Sequence, residues 1–188
     1  MVSKGVIIGV IVLLVVLGFF LFGGSSEVVD SGNGDLRGGS EESEDFVSGW
    51  RDVVLRDVRT GVEFKVSDFS DKPILLESFA VWCPTCTKQQ NEIKKFHEVS
   101  SDVISISLDT DPNEDEAFVL DHIERNGFDW YYAVSPVAVT QMLIDEFGPG
   151  IVQAPSVPMV LICGDKVEKL PGGVKDVDEL SGFVASCG

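Results

Sequence analysis

The decapeptide ESFAVWCPTC, residues 77–86, decides how the rest of the chain is read. It ends a mostly apolar run, PILLESFAVW (73–82), with the length of a buried strand. It leads into PTCTKQQNEIKKFHEV (84–99), where Ile93, Phe96 and Val99 recur at helical spacing. Cys83 and Cys86 therefore stand where a strand ends and a helix begins. A helix N-terminus presents free N–H groups and the positive end of a dipole, which favour a thiolate. Cys83 is thus the expected nucleophile, open to attack. Cys86, one turn further in, is expected to be shielded and to resolve the mixed disulfide. Pro84 starts the helix and removes an amide hydrogen near the sulfur. An inert staple is the competing reading, but so short a loop removes little entropy from the unfolded chain.

Outward from this centre, strand and helix signals alternate. DVVLRDVRTGVEFKV (52–66) predicts a hairpin around Arg59, Thr60 and Gly61. DVISISLD (102–109), WYYAV (130–134) and PMVLIC (158–163) predict strands. NEDEAFVLDHIERNG (113–127) predicts a helix with a glycine stop. SPVAVTQMLIDEFG (135–148) predicts another, with Ser135 as N-cap and Pro136 at the first position. After a turn at Gly164 to Lys166 comes the short strand VEKLP. DVDELSGFVASC (176–187) closes the chain as a helix whose Leu180, Phe183, Val184 and Cys187 share one face. Alternation of this kind implies an α/β fold: a mixed central sheet, parallel at its heart, with helices on both faces.

The N-terminal quarter is different. GVIIGVIVLLVVLGFFLF (5–22) is an uncharged apolar run of about 27 Å as a helix. That nearly matches a hydrocarbon core of about 30 Å and predicts a transmembrane anchor. A cleaved signal peptide is the alternative, although its apolar region usually spans about 7–15 residues and ends in a small-residue site. Lys4 precedes the span, and Glu27, Asp30 and Asp35 follow it. The positive-inside rule then leaves residues 1–4 in the cytoplasm and the bulk of the chain outside. Residues 23–48 hold twelve Gly or Ser and seven acids, the composition of a flexible tether. Residues 49–188 form the expected folded domain. The net charge is −17, which opposes nucleic acid as a partner because phosphate contacts need a basic patch.

ILLESFAVWCPTC (74–86), with Val157-Pro158 downstream, closely resembles the active-site strand and motif of thioredoxin-like proteins. The preceding hairpin, and the extra strand and helix between VISISLD and VPMVLIC, are similar to the membrane-anchored TlpA/ResA-like branch. The resemblance implies a thioredoxin fold with an N-terminal β-hairpin and an inserted strand-helix unit. It implies a thiol:disulfide oxidoreductase with no bound cofactor, acting on protein thiols and disulfides and served by another thiol protein as electron partner. It makes Cys83 the nucleophile and Cys86 the resolving thiol. Trp82, Pro84 and Thr85 would flank the substrate. Val157 and Pro158 would form the loop where the family carries a cis-proline, with the Val157 backbone free to pair with a substrate strand. Pro155 competes for that role, but Pro158 directly opens the apolar strand.

Glu77 should share a strand face with Phe79 and Val81. By the resemblance it would move protons to and from Cys86, and burial should raise its pKa. A solvated Glu77 at a sheet edge is the alternative. Thioredoxin itself has a lysine on the neighbouring strand; VISISLD has none, which leaves the partner of Glu77 open. In this fold Cys163 and Cys187 would lie together at the far end, as a disulfide or as two buried thiols. A four-cysteine zinc site lacks a second close pair. His97 and His122 lack a ligand spacing and are read as surface or core residues. The Trp130-Tyr131-Tyr132 cluster is read as sheet packing. The competing functions are a disulfide-donating oxidase with the same site, a thiol peroxidase, and a copper-binding or chaperone module. The resemblance leans towards reductant.

Overall fold

Six consecutive buried residues, Ile74–Phe79, form the strand β3 at the centre of the main sheet. The computed structural model describes residues 49–188. The expected anchor and tether therefore lie outside the described residues, and no described helix is long and apolar enough to cross a membrane. Before β3, β1 (Leu55–Arg56) and β2 (Glu63–Phe64) pair antiparallel as a small separate sheet. This hairpin is much shorter than its alternating sequence suggests. Short 3-10 turns at Trp50–Asp52 and Val66–Phe69 replace regular pairing on either side.

After β3 come α1 (Pro84–Val99), β4 (Ile104–Asp109), α2 (Glu116–Asn126), β5 (Tyr131–Val134) and α3 (Val137–Phe147). The chain ends with β6 (Met159–Cys163), β7 (Lys166–Lys169) and α4 (Val177–Ala185). The main sheet has the order β5-β4-β3-β6-β7. β4 and β5 run parallel in the β3 direction, and β6 and β7 complete it antiparallel, giving the expected mixed sheet.

The pleat sends alternate side chains of β3 into two cores. Leu75 and Phe79 pack with Cys86, Ile93 and Phe96 of α1 and Leu180 of α4. Ile74 and Leu76 pack with Val139 and Leu143 of α3 and with Trp50, Leu55 and Phe64. Asp115 caps α2 through Ala117 N and Phe118 N, and Gly127 ends it in the left-handed region at φ 63°. The α3 start differs from the expectation. Pro136 is the N-cap and makes no side-chain cap bond, while the Ser135 hydroxyl accepts a hydrogen bond from Thr140 Oγ1. Asp176 and Glu179 form a capping box at α4.

Candidate active site

Cys83 is the N-cap of α1, with extended backbone, and Pro84 occupies the first helical position. This is the local geometry the motif predicts. Cys83 Sγ accepts a hydrogen bond from Cys86 N at 3.2 Å and lies 3.5 Å from Thr85 Oγ1. The two cysteines are joined as a disulfide with their Cα atoms 5.3 Å apart. Cys86 Sγ sits 3.1 Å from the carbonyl of Ala154, an acceptor for its S–H when the pair is reduced.

Cys83 does not stand open. It is only 1 % exposed, against 0 % for Cys86, because it belongs to the apolar cluster around Phe79 and Ala80. Trp82 is 58 % exposed, and Pro84 is also exposed. Two acids of the β4–α2 segment tether the approach: Trp82 Nε1 donates to Asp111 Oδ2 at 2.6 Å, and Val81 N to Glu114 Oε2 at 2.7 Å. Beside Trp82 runs a groove of about 710 Å³. Ala80, Pro112, Val152, Ala154 and Pro155 supply apolar walls, and Asp111 lies on its edge.

The Val157–Pro158 loop departs from the expectation in two ways. Among the described residues no peptide bond is cis, so the bond before Pro158 is trans. The Val157 backbone is also already committed. Its N–H donates to Ala154 O at 2.9 Å, and its carbonyl accepts from Lys175 Nζ at 3.2 Å. The N–H is therefore not free to pair with a substrate strand, and the carbonyl, though it keeps a second lone pair, belongs to a fully buried residue. Val157 holds φ 51°, a left-handed conformation that costs a β-branched residue of order 1–3 kcal/mol. Val157 and Pro158 are both buried, and the Pro158 carbonyl accepts from Ser78 N at 3.1 Å. The exposed part of the loop is Gln153, Pro155 and Ser156, all on the groove.

Glu77 lies behind the pair, fully buried on the α1 side of the sheet. Its Oε2 accepts from Gln90 Nε2 at 3.2 Å and from Ser107 Oγ at 3.1 Å; Oε1 has no hydrogen-bond partner among the described residues. Burial pushes its pKa up to about 8, against the opposing pull of Gln90, Ser107 and Lys175. The buried cation that β4 lacks thus comes from another element. Lys175 lies in the segment between β7 and α4, where Gln89 holds its backbone by two hydrogen bonds of 2.7 and 3.1 Å. Burial pushes the Lys175 ammonium down while Glu77 pulls it up.

The motif reading missed Gln90, Ser107, Lys175 and His122. Gln90 is four residues after Cys86, hence on the same helix face, and Ser107 is the register partner of Glu77. Lys175 carries no local signal, because its place depends on how the last loop folds back. Asp109, at the end of β4, is pushed up to about 7 by burial; the hydrogen bond from Asp111 N opposes the rise and Glu114 adds to it. At the far end Cys163 and Cys187 are joined as a disulfide, with Cα atoms 5.3 Å apart. Among the described residues no group of three or more His, Cys, Asp or Glu side chains is placed to hold a metal ion.

A strand, a helix-capping Cys-Pro-Thr-Cys disulfide and a buried carboxyl behind it define a thioredoxin-like thiol:disulfide oxidoreductase. The chain belongs to the Redoxin family, whose model matches residues 49–157. None of the curated proteins matches it in sequence. Among solved structures it is similar to a secreted Mycobacterium tuberculosis disulfide oxidoreductase homologous to E. coli DsbE, with 16% identity and a TM-score of 0.58, covering 73% of this chain and 96% of that one. It is also similar to a thiol:disulfide interchange protein from Chlorobium tepidum, with 14% identity and a TM-score of 0.56, covering 72% and 92%. A thioredoxin domain of a Bacteroides vulgatus thiol-disulfide oxidoreductase gives 18% identity and a TM-score of 0.57, covering 70% and 92%. At these identities the likeness is one of fold.

Proposed function

We propose that the protein exchanges disulfides with other proteins outside the cytoplasm while tethered by residues 5–22, and that it works as a reductant. The observation that carries the exchange reading is the Cys83–Cys86 pair at a helix start, in front of a carboxyl with a pKa of about 8. A substrate disulfide is attacked by the Cys83 thiolate, which forms a mixed disulfide and expels one substrate thiolate. Cys86 then loses its proton towards Glu77 and attacks Cys83 Sγ. The second substrate thiolate leaves, takes up a proton, and the Cys83–Cys86 bond is restored. The substrate lies in the groove beside Trp82, near Pro84, Thr85 and Pro155, with Val157 and Pro158 supporting its wall from below. The tether and the outside location rest on the uncharged run 5–22 and the charges that flank it. The electron partner is another thiol protein at or beyond the membrane.

The test is the reduction potential of the Cys83–Cys86 pair, equilibrated against glutathione buffers. A value near about −270 mV supports the reductant. A value near about −120 mV makes the protein a disulfide donor. Absence of any exchange overturns the functional reading altogether.

A further inference from the structure

His122 takes no part in the chemistry just described, yet it is buried and bonded towards the site. Its Nε2 lies 2.6 Å from Gln90 Oε1, and the other end of that amide, Nε2, donates to Glu77 Oε2. The order of donors along this chain follows from one anchored group. Asn126 Nδ2 donates to the backbone carbonyl of His122 at 2.8 Å, which fixes its NH2 towards the ring. The same NH2 lies 3.4 Å from His122 Nδ1, so Nδ1 must be the acceptor. A neutral imidazole that accepts at Nδ1 carries its hydrogen on Nε2. Nε2–H then requires the oxygen of Gln90 to face it, which turns the Gln90 NH2 towards Glu77. An amide turned the other way would present an oxygen to Glu77, and an oxygen can only accept the carboxyl proton.

We propose that His122 is a positioning residue for thiol exchange: it fixes the Gln90 amide so that Gln90 donates to Glu77 and stabilises its carboxylate. The inference rests on the proposed proton-transfer role of Glu77 for its consequence, but its geometry is independent of that role. The ring is held for the task, stacked on Phe79 at 5.8 Å and tilted against Phe128 at 5.6 Å. Burial keeps the imidazole below its ordinary pKa, with Arg125 adding to the drop and Asp121 opposing it, so the neutral tautomer persists at neutral pH. The other groups that face Glu77 are Ser107 on β4, Tyr132 on β5 and Lys175 before α4. None of them orients Gln90.

The test uses the full chain, labelled with 15N in histidine and 13C in the glutamate carboxyl; titrations are run with Cys83–Cys86 oxidised, and resolution is followed from a mixed disulfide at Cys83 with Cys86 free. In the wild type His122 should show a protonated Nε2 and a bare Nδ1, with Glu77 titrating near pH 8. His122→Phe keeps a ring against Phe79 and Phe128 but removes the donor. The Glu77 midpoint should then rise by about one pH unit, and the pH profile of mixed-disulfide resolution should move with it. Asn126→Ala leaves the ring in place and covers the case in which His122→Phe does not fold. It should release the tautomer, seen in the 15N shifts, and raise the Glu77 midpoint by a smaller amount. A wild-type Nδ1–H tautomer, or variants with the wild-type Glu77 midpoint, would overturn the proposal. A wild type that titrates as described but exchanges no disulfides would sink the functional reading and leave the positioning role standing.

Discussion

The ammonium of Lys175 donates to the carbonyl of Val157 at 3.2 Å, while its charge acts on Glu77. One buried cation therefore joins the loop over the disulfide to the carboxyl behind it. Lys175→Met keeps the bulk of the side chain and removes both effects. The Val157 carbonyl loses its donor, which should cost about 1–3 kcal/mol in urea unfolding. Glu77 loses a favourable charge, so its midpoint should rise above about 8 in a carboxyl titration. A stability loss with no change in Glu77 would mean that Lys175 serves the loop alone.

Glu77 makes the folded state pH-sensitive in a direction opposite to that of a paired surface acid. Its ordinary value is 4.5 and its folded value is about 8, so between these the folded chain keeps a proton that the unfolded chain has lost. Stability falls as pH rises through this window and levels off above about 8. The full penalty is of order 5 kcal/mol at most. Glu77→Gln should match the wild type in stability below about pH 4 and exceed it increasingly up to pH 8, measured by urea unfolding at each pH. The same variant should resolve mixed disulfides roughly 10²-fold more slowly, because the proposed acceptor of the Cys86 proton is gone. Faster unfolding of the variant at pH 8 would contradict the buried-acid account.

These two residues also mark what the sequence can and cannot disclose. Glu77 is legible because β3 is a continuous apolar strand, and a carboxyl within it is expected to be buried unless it reaches a sheet edge; the structure shows it buried. Cys83 and Cys86 are legible because Pro84 and the helical spacing after it fix the strand-to-helix junction. The order of helices and strands follows from the same periodicities. The burial of Cys83 is not legible, since it depends on how the apolar cluster around Phe79 and Ala80 packs in three dimensions. The engagement of the Val157 carbonyl depends on Lys175, which arrives from 18 residues away through a loop with no pattern of its own. The Ser135 cap fails for a smaller reason: Pro136 itself becomes the cap, and the Ser135 hydroxyl is engaged with Thr140.

Cys163 and Cys187 close a stretch that holds β7, the Lys175 segment and α4, with a sequence separation of 24. Cross-linking a loop of this length stabilises by about 3 kcal/mol through the unfolded chain. The double variant Cys163→Ser/Cys187→Ser should lose about that much in urea unfolding. Amide exchange should also quicken selectively over residues 164–187, where α4 and Lys175 lose their staple. A stability unchanged under non-reducing conditions would show that the two thiols do not form the bond in solution.

The tether on Trp82 bears on how Cys83 is reached. Asp111 holds the indole N–H at 2.6 Å, and Glu114 holds the preceding Val81 amide at 2.7 Å. Both bonds end on carboxylates, and Cys83 follows immediately in the chain. Asp111 is held below its usual carboxylate range, chiefly by the Trp82 hydrogen bond and then by the Asn113 amide. Its contribution is therefore present above its ordinary value of 3.8 and is lost only as pH falls through the lower folded value. Neutral pH does not release the indole, but substitution should. In Asp111→Ala, with Cys83–Cys86 reduced, Trp82 becomes free to swing off the groove. Alkylation of Cys83 by iodoacetamide at pH 7 should accelerate about tenfold, the population change expected for one lost bond to a carboxylate. Trp82 emission should shift to the red as the indole meets more water. Alkylation at the wild-type rate, with that spectral shift present, would mean that Cys83 is reached by a route that the indole does not control.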